Sequence, residues 1–133
     1  MTSGSKRRKG PKLASLKSLK RKLDKVFSQW IRKRDALPNG IGICITCNRA
    51  AVLQAGHFIP RQHHATRWHA DNVWGQCAGC NCWGHGQQAA YYVALVKRIG
   101  QKRVDELMRL RHTTVKYTRS ELGEMIAKYS ELA

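Results

Sequence analysis

Apolar residues recur along this chain in two rhythms, and the change between them divides it. From Leu13 onward, Leu16, Leu19, Leu23, Val26, Phe27, Trp30 and Ile31 fall on one stripe of a helical repeat, with lysines and arginines on the remaining faces. That spacing predicts a basic amphipathic helix over residues 13–37. It should stop near Ala36, because Pro38 disfavours helical geometry at Leu37 and Asn39-Gly40 is a turn pair. Short extended runs follow: Ile41 to Cys47, Arg49 to Phe58 and a brief Val73-Trp74, with a polar, His- and Arg-rich loop from Pro60 to Ala70. Gly84 and Gly86 break any helix beginning at Cys80. Helical spacing therefore resumes near Gln87 and runs through Tyr91, Tyr92, Leu95, Val96 and Ile99 to a Gly100 cap. Residues 101–111 repeat the pattern with Val104, Leu107, Met108 and Leu110 inward. Thr118-Arg-Ser-Glu121 is a capping box that opens a last helix reaching about Leu132.

A chain of 133 residues with this order of elements makes one α+β unit with a modest core. It divides into a disordered basic tail (1–12), the basic helix (13–37), a central core (38–112) and a C-terminal helical extension (113–133). Lys and Arg number 25 against 8 acidic residues, a net charge of +17, which points to a polyanionic partner. Nucleic acid fits best, and a membrane partner is not expected, because no apolar run approaches the ~20 residues a spanning helix needs. The N-terminus has no apolar signal-peptide segment, so a cytoplasmic location is expected. The cations are uneven: residues 1–40 hold 13 of them, while 41–90 hold only Arg49, Arg61 and Arg67. The N-terminal basic arm would grip phosphates, through Lys6, Arg7, Arg8, Lys9, Lys20, Arg21 and Lys22, with Arg61 and Arg67 nearer the chemistry, while residues 91–133, with 9 cations against 5 acids, read as an ordinary solvated helix surface.

The cation-poor centre carries two Cys-x-x-Cys pairs, Cys44/Cys47 and Cys77/Cys80. Each pair brings two thiolates to one point from a tight turn, and four thiolates close a tetrahedral shell around Zn²⁺. Redox or disulfide chemistry is the alternative, disfavoured in a reducing compartment. Cys82 is left over as a buried or free thiol. Trp68, Trp74 and Trp83 read as core around a small zinc module, and His63, His64 and His69 as loop residues.

Between and beyond the cysteines lie His57, Asn72, Asn81 and His85. Phosphodiester hydrolysis needs an activated water and a cation to neutralise charge on the phosphorane. A neutral imidazole can supply the first if a second group orients it, and His57 with Asn72 fits that pair. Asn81 would offer an amide oxygen to Mg²⁺ or Mn²⁺, and His85 a nitrogen to the same ion. The plainer readings are a turn role for Asn72, a cap for Asn81 and a surface position for His85.

The arrangement Cys44-x-x-Cys47, Ala55-Gly-His57, Asn72-Val, Gln76-Cys77-x-x-Cys80-Asn81, Gly86, Tyr92, Ile99-Gly100 resembles the NinG/Rap recombination endonucleases of lambdoid phages, over about Cys44 to Leu107. These resemble the wider HNH, or ββα-metal, nucleases in a His-Asn-Asn form. The resemblance implies a zinc-stapled ββα-metal fold and a phage-encoded, structure-selective DNA endonuclease acting in the host cytoplasm. Its substrates would be branched recombination intermediates such as Holliday junctions and D-loops. It also implies His57 as general base, Asn72 as positioning residue and Asn81 as metal ligand. Many HNH sites place an Asp or His ligand just before the catalytic His, where this chain has Gly56; His85 is the candidate replacement. A homodimer would suit a two-stranded junction. The alternative function is a non-catalytic zinc-containing nucleic-acid-binding protein.

Overall fold

The structure is a computed structural model and describes residues 13–133. The basic tail, with Lys6, Arg7, Arg8 and Lys9, lies outside the described residues. Helix α1 spans Leu16–Asp35, starting three residues later than the expected span 13–37 and ending just before Ala36. Ser15 caps it, its side chain accepting from the Ser18 N–H at 3.0 Å, and Ala36 is already extended ahead of the Leu37-Pro38 turn. Leu23, Phe27 and Ile31 are its buried residues, one per turn.

Three antiparallel strands follow, β1 (Ile41–Ile43), β2 (Ala50–His57) and β3 (Val73–Cys77), in the order β1-β2-β3. The first is shorter than the extended run because the chain turns at Cys44, whose carbonyl accepts from Asn48 N at 2.9 Å, with Asn48 at φ 61°. The third is longer than Val73-Trp74: all five of its residues pair with Leu53 through His57. Residues 60–70 are not wholly irregular, since helix α2 (His64–Arg67) makes one turn there and buries Thr66. After β3 comes one π-helical turn, Gly79–Trp83, ended at Gly84. Helices α3 (Gln88–Ile99) and α4 (Gln101–Arg111) are separated by Gly100, at φ 89°. Helix α5 (Arg119–Leu132) opens with the capping box, both of whose bonds form: Thr118 N to Glu121 at 3.0 Å and Glu121 N to Thr118 at 3.1 Å.

Two apolar clusters hold these elements. In one, Leu23, Phe27 and Ile31 of α1 meet Leu122, Ile126 and Tyr129 of α5, with Trp68 and Val73 beneath; Phe27 and Tyr129 pack edge to face at 4.8 Å. The C-terminal extension is therefore half of a core. In the other, Phe58 and Ile59 pack on Tyr91 and Leu95 of α3 and Val104 and Leu107 of α4. Met108 and Leu110 are only half-buried.

The end of α1 is locked to the sheet by polar groups. Arg34 bonds Asp35 and donates to the carbonyls of Ala70 (2.9 Å) and Val73 (2.7 Å), while Asp35 accepts from Gly75 N at 2.8 Å. The Arg34 and Arg98 guanidinium groups stand 4.0 and 5.1 Å from the centre of the Trp74 ring. Of the three tryptophans expected in the core, Trp68 is buried and Trp74 half-buried, but Trp83 is 77% exposed. It is the last residue of the π-helical turn, outside both clusters. No described helix is long and apolar enough to cross a membrane.

Candidate metal centre and adjoining cleft

Cys44 and Cys47 sit on the turn after β1, Cys77 ends β3, and Cys80 lies in the π-helical turn. Hairpin pairing of β2 with both neighbours brings the two turns together, and the four sulfurs all lie within 4.8 Å of one another. Cys47 Sγ and Cys77 Sγ are 3.8 Å apart. That matches the edge of a tetrahedron with ~2.3 Å zinc–sulfur bonds, about 3.8 Å, and is far beyond a disulfide bond. Within each pair the second residue's N–H points at the first sulfur: Cys47 N to Cys44 Sγ at 3.5 Å, Cys80 N to Cys77 Sγ at 3.4 Å. Burial would raise the Cys44 thiol, but surrounding backbone donors bring it down to about 6. Burial and the neighbouring sulfurs push Cys80 up to about 12. Four sulfurs so close can all ionise only around a cation, and this group could hold a structural zinc ion. Cys82 stands apart, exposed, its thiol donating to Gln54 Oε1 at 3.2 Å.

Beside this group opens a cleft of about 610 Å³, lined by Asp24, Lys25 and Ser28 of α1, by His57 and Arg61, and by Asn81, His85 and Gln88. Three of the four residues singled out for chemistry thus share one cavity. A larger groove of about 1220 Å³, between β1 and α3, holds none of them. His57 ends β2, and its Nε2 lies 2.9 Å from the Arg67 carbonyl. A carbonyl only accepts, so Nε2 carries the proton and Nδ1 is the basic nitrogen. Burial, joined by the charges of Arg61 and Arg67, holds the imidazole pKa below its ordinary value, outweighing the Arg67 carbonyl and Asp24. The ring is neutral at pH 7.

Asn72 is not in the cleft. It is fully buried, accepting from Ile59 N at 2.8 Å and donating to the carbonyls of Ile59 and Thr66, both at 3.0 Å. Its carboxamide does not orient the His57 ring directly. It staples residues 59–66, the segment leading to the Arg67 carbonyl that does.

Asn81 donates from Nδ2 to Gln54 Oε1 at 2.9 Å, which leaves its oxygen as the end available to a cation. His85 enters the cleft on an unusual backbone: His85, Gly86 and Gln87 all have positive φ, at 53°, 84° and 50°. Left-handed geometry at a non-glycine residue costs on the order of 1 kcal/mol. Gln76 bridges that segment to the Cys44–Cys47 turn, its Nε2 donating to Gly86 O at 3.0 Å and Thr46 Oγ1 at 2.6 Å. The same carboxamide accounts for Gly56, where a Cβ would stand 1.9 Å from Gln76 Oε1. Any side chain at position 56 would displace the buried Gln76 carboxamide.

Sequence reasoning missed Asp24. One carboxylate collects Arg61 at 2.6 Å, Arg67 through two bonds at 3.0 and 2.5 Å, and Trp68 Nε1 at 2.9 Å. Burial raises its pKa, but the bonds and charges of Arg67 and Arg61 outweigh this and hold it below the usual carboxylate value. Arg67 is thereby a structural cation, with 16% of its side chain exposed, whereas Arg61, at 59%, still faces solvent. The only signal in the sequence was that Asp24 and Asp35 are the two acids among the thirteen cations of residues 1–40. Both prove to be clamps. Of the remaining cations expected to meet DNA, Arg21 and Lys22 are exposed on α1 and Lys20 is half-buried.

The family model described as bacteriophage lambda NinG protein matches residues 2–133. Among curated proteins, the chain is similar to protein ninG of Escherichia phage 933W, 34% identical over 106 residues, covering 77% of this chain and 50% of that one. Protein ninG of Escherichia phage lambda is 33% identical over 106 residues, covering 77% and 49%. The chain spans about half the length of these relatives. No solved structure gives a significant match. A match across nearly the whole chain, over residues that build both the thiolate group and the cleft, places this protein in the NinG family of lambdoid phages.

Proposed function

We propose that this protein is a metal-dependent DNA endonuclease of the HNH type, acting on branched recombination intermediates such as Holliday junctions and D-loops. The observation that carries the reading is the His57 imidazole. It is tethered through Nε2 to a main-chain carbonyl, held neutral, and shares a cleft with Asn81 and His85. In this mechanism His57 Nδ1 takes a proton from the attacking water, and the Arg67 carbonyl keeps the ring in that tautomer and stabilises the imidazolium that forms. Asn81 and His85 would hold Mg²⁺ or Mn²⁺; two protein donors suit a cation that takes the rest of its shell from water and phosphate. When bound, that ion supplies charge neutralisation at the phosphoryl and leaving oxygens. Arg61 and the exposed cations of α1 draw in the phosphate backbone. The zinc-holding turns serve as the rigid base on which Asn81 is mounted.

The test is cleavage of a labelled four-way junction in Mg²⁺ or Mn²⁺, comparing wild type with His57→Ala. Removing a general base should lower the rate by roughly 10²–10⁴ without loss of binding. Equal rates for the two proteins would refute the role of His57. Tight, salt-sensitive binding with no cleavage by wild type would leave only the nucleic-acid-binding module.

A further inference from the structure

Trp83 is 77% exposed, whereas Trp68 is 6% exposed and Trp30 and Trp74 are half-buried. Those three each face another ring or a guanidinium group, and Trp83 has no such partner among the described residues. Its indole nevertheless stands on a firm base. The π-helical turn is fixed by Cys80 in the thiolate group, by Asn81 bonding Gln54 at 2.9 Å, by Gly84 N on Gly79 O at 2.7 Å and by Gly86 N on Cys80 O at 2.8 Å. Asn81 and His85, two residues to either side, both line the cleft. Two residues reach at most about 7 Å, so the Trp83 backbone lies within about two base steps of the cleft residues, at ~3.4 Å per step.

Trp83 does not itself line the cleft but stands on the segment that carries Asn81 and His85 into it. A bare indole there, in a +17 chain, fits a partner that is anionic and offers a flat π face. A nucleobase in intact duplex is covered on both faces by its neighbours. A base left unpaired at a branch has a free face. We propose that Trp83 is a stacking platform for an unpaired base, and that it makes the cleft prefer branched DNA over continuous duplex. The proposal rests on the DNA reading above and supplies a source of its branch selectivity.

The full, zinc-loaded chain would be titrated against a three-way junction carrying two unpaired bases at the branch, and against a linear duplex of equal length. Ca²⁺ replaces Mg²⁺ to prevent turnover, and 2-aminopurine at an unpaired position reports stacking by quenching. Trp83→Ala should weaken junction binding by roughly 5- to 150-fold and abolish the quenching, with duplex affinity unchanged within about twofold. Trp83→Phe should restore most of both, and zinc content and melting should match wild type. Equal loss on both substrates, or no loss on either, would overturn the proposal, as would an indole that proves to mediate self-association by sedimentation. Cleavage of the junction by wild type with Trp83→Ala still preferring it would remove the stacking role alone. Loss of preference in a wild type that never cleaves would remove the nuclease reading and keep the platform.

Discussion

Asn72→Ala is the substitution whose outcome is best defined by the structure. The carboxamide is fully buried and meets three main-chain groups: the N–H of Ile59 and the carbonyls of Ile59 and Thr66, at 2.8, 3.0 and 3.0 Å. Alanine leaves the Ile59 N–H and carbonyl without this partner, while the Thr66 carbonyl keeps the His69 N–H at 3.2 Å. A stranded buried polar group costs about 1–3 kcal/mol, so the loss from these two should be roughly 2–6 kcal/mol. Total stability for a domain of this size is about 5–15 kcal/mol, and each kcal/mol moves the melting temperature by a few degrees, about 2–8 °C. The expected fall is therefore at least about 4 °C, measured by circular dichroism or calorimetry with zinc in excess. Asn72→Asp sharpens the test. It keeps the acceptor for Ile59 N but turns a second oxygen toward two carbonyls in a buried site, so its folded pKa must lie above its unfolded value. Its folded state is then relatively best supported at acid pH and loses ground as pH rises through that raised pKa. His57→Ala, which removes one hydrogen bond at a half-buried site, should cost no more than ~1 kcal/mol. An Asn72→Ala protein melting within ~3 °C of wild type would show that the staple does not hold the 59–66 segment.

Cys77→Ser should release zinc and lower the melting temperature by more than 10 °C, because metal binding supplies folding free energy to a small core at about 10 kcal/mol or more in zinc-finger peptides; full zinc stoichiometry with unchanged melting would exclude a four-sulfur site. The pH profile of kcat/KM on a junction should show an acid limb with an apparent pKa below the ordinary imidazole value of ~6.5, because burial and two arginines depress His57. By the same sign, the stability that neutral His57 contributes is complete above that ordinary value and is lost as pH falls through the depressed one. Asp24→Asn removes the negative charge that partly offsets those arginines, so the limb should move to still lower pH; an unmoved limb would mean that Asp24 is not coupled to the ring. The depressed carboxylate of Asp24 contributes stability above its unfolded pKa of about 3.9 that is lost as pH falls through its folded value, and the same variant should flatten that part of an acid-unfolding curve.

What could be read along the chain was whatever repeats locally. The stripe from Leu16 to Ile31, the capping box at Thr118 and the break at Gly100 each depend on residues within a turn or two. The Cys-x-x-Cys pairs are legible for the same reason: a knuckle of four residues presents both sulfurs whatever surrounds it. Even the choice of His57, Asn81 and His85 was available from spacing, and the fold does set them around one cleft. The roles of neighbours were not. Spacing pairs Asn72 with the His57 ring, yet the ring is held by the Arg67 carbonyl, because the loop after Phe58 folds back into a helical turn that no periodicity announces. Trp83 seemed core because tryptophan usually is, and only the placement of the two clusters leaves it in solvent. Asp24 carries no local signal of its role, because the loop that brings Arg61, Arg67 and Trp68 to it lies some forty positions away. Local backbone geometry is written in short-range sequence. Which buried polar group satisfies which donor is decided by contacts between segments far apart in the chain, and those exist only once the helices and sheet have closed on each other.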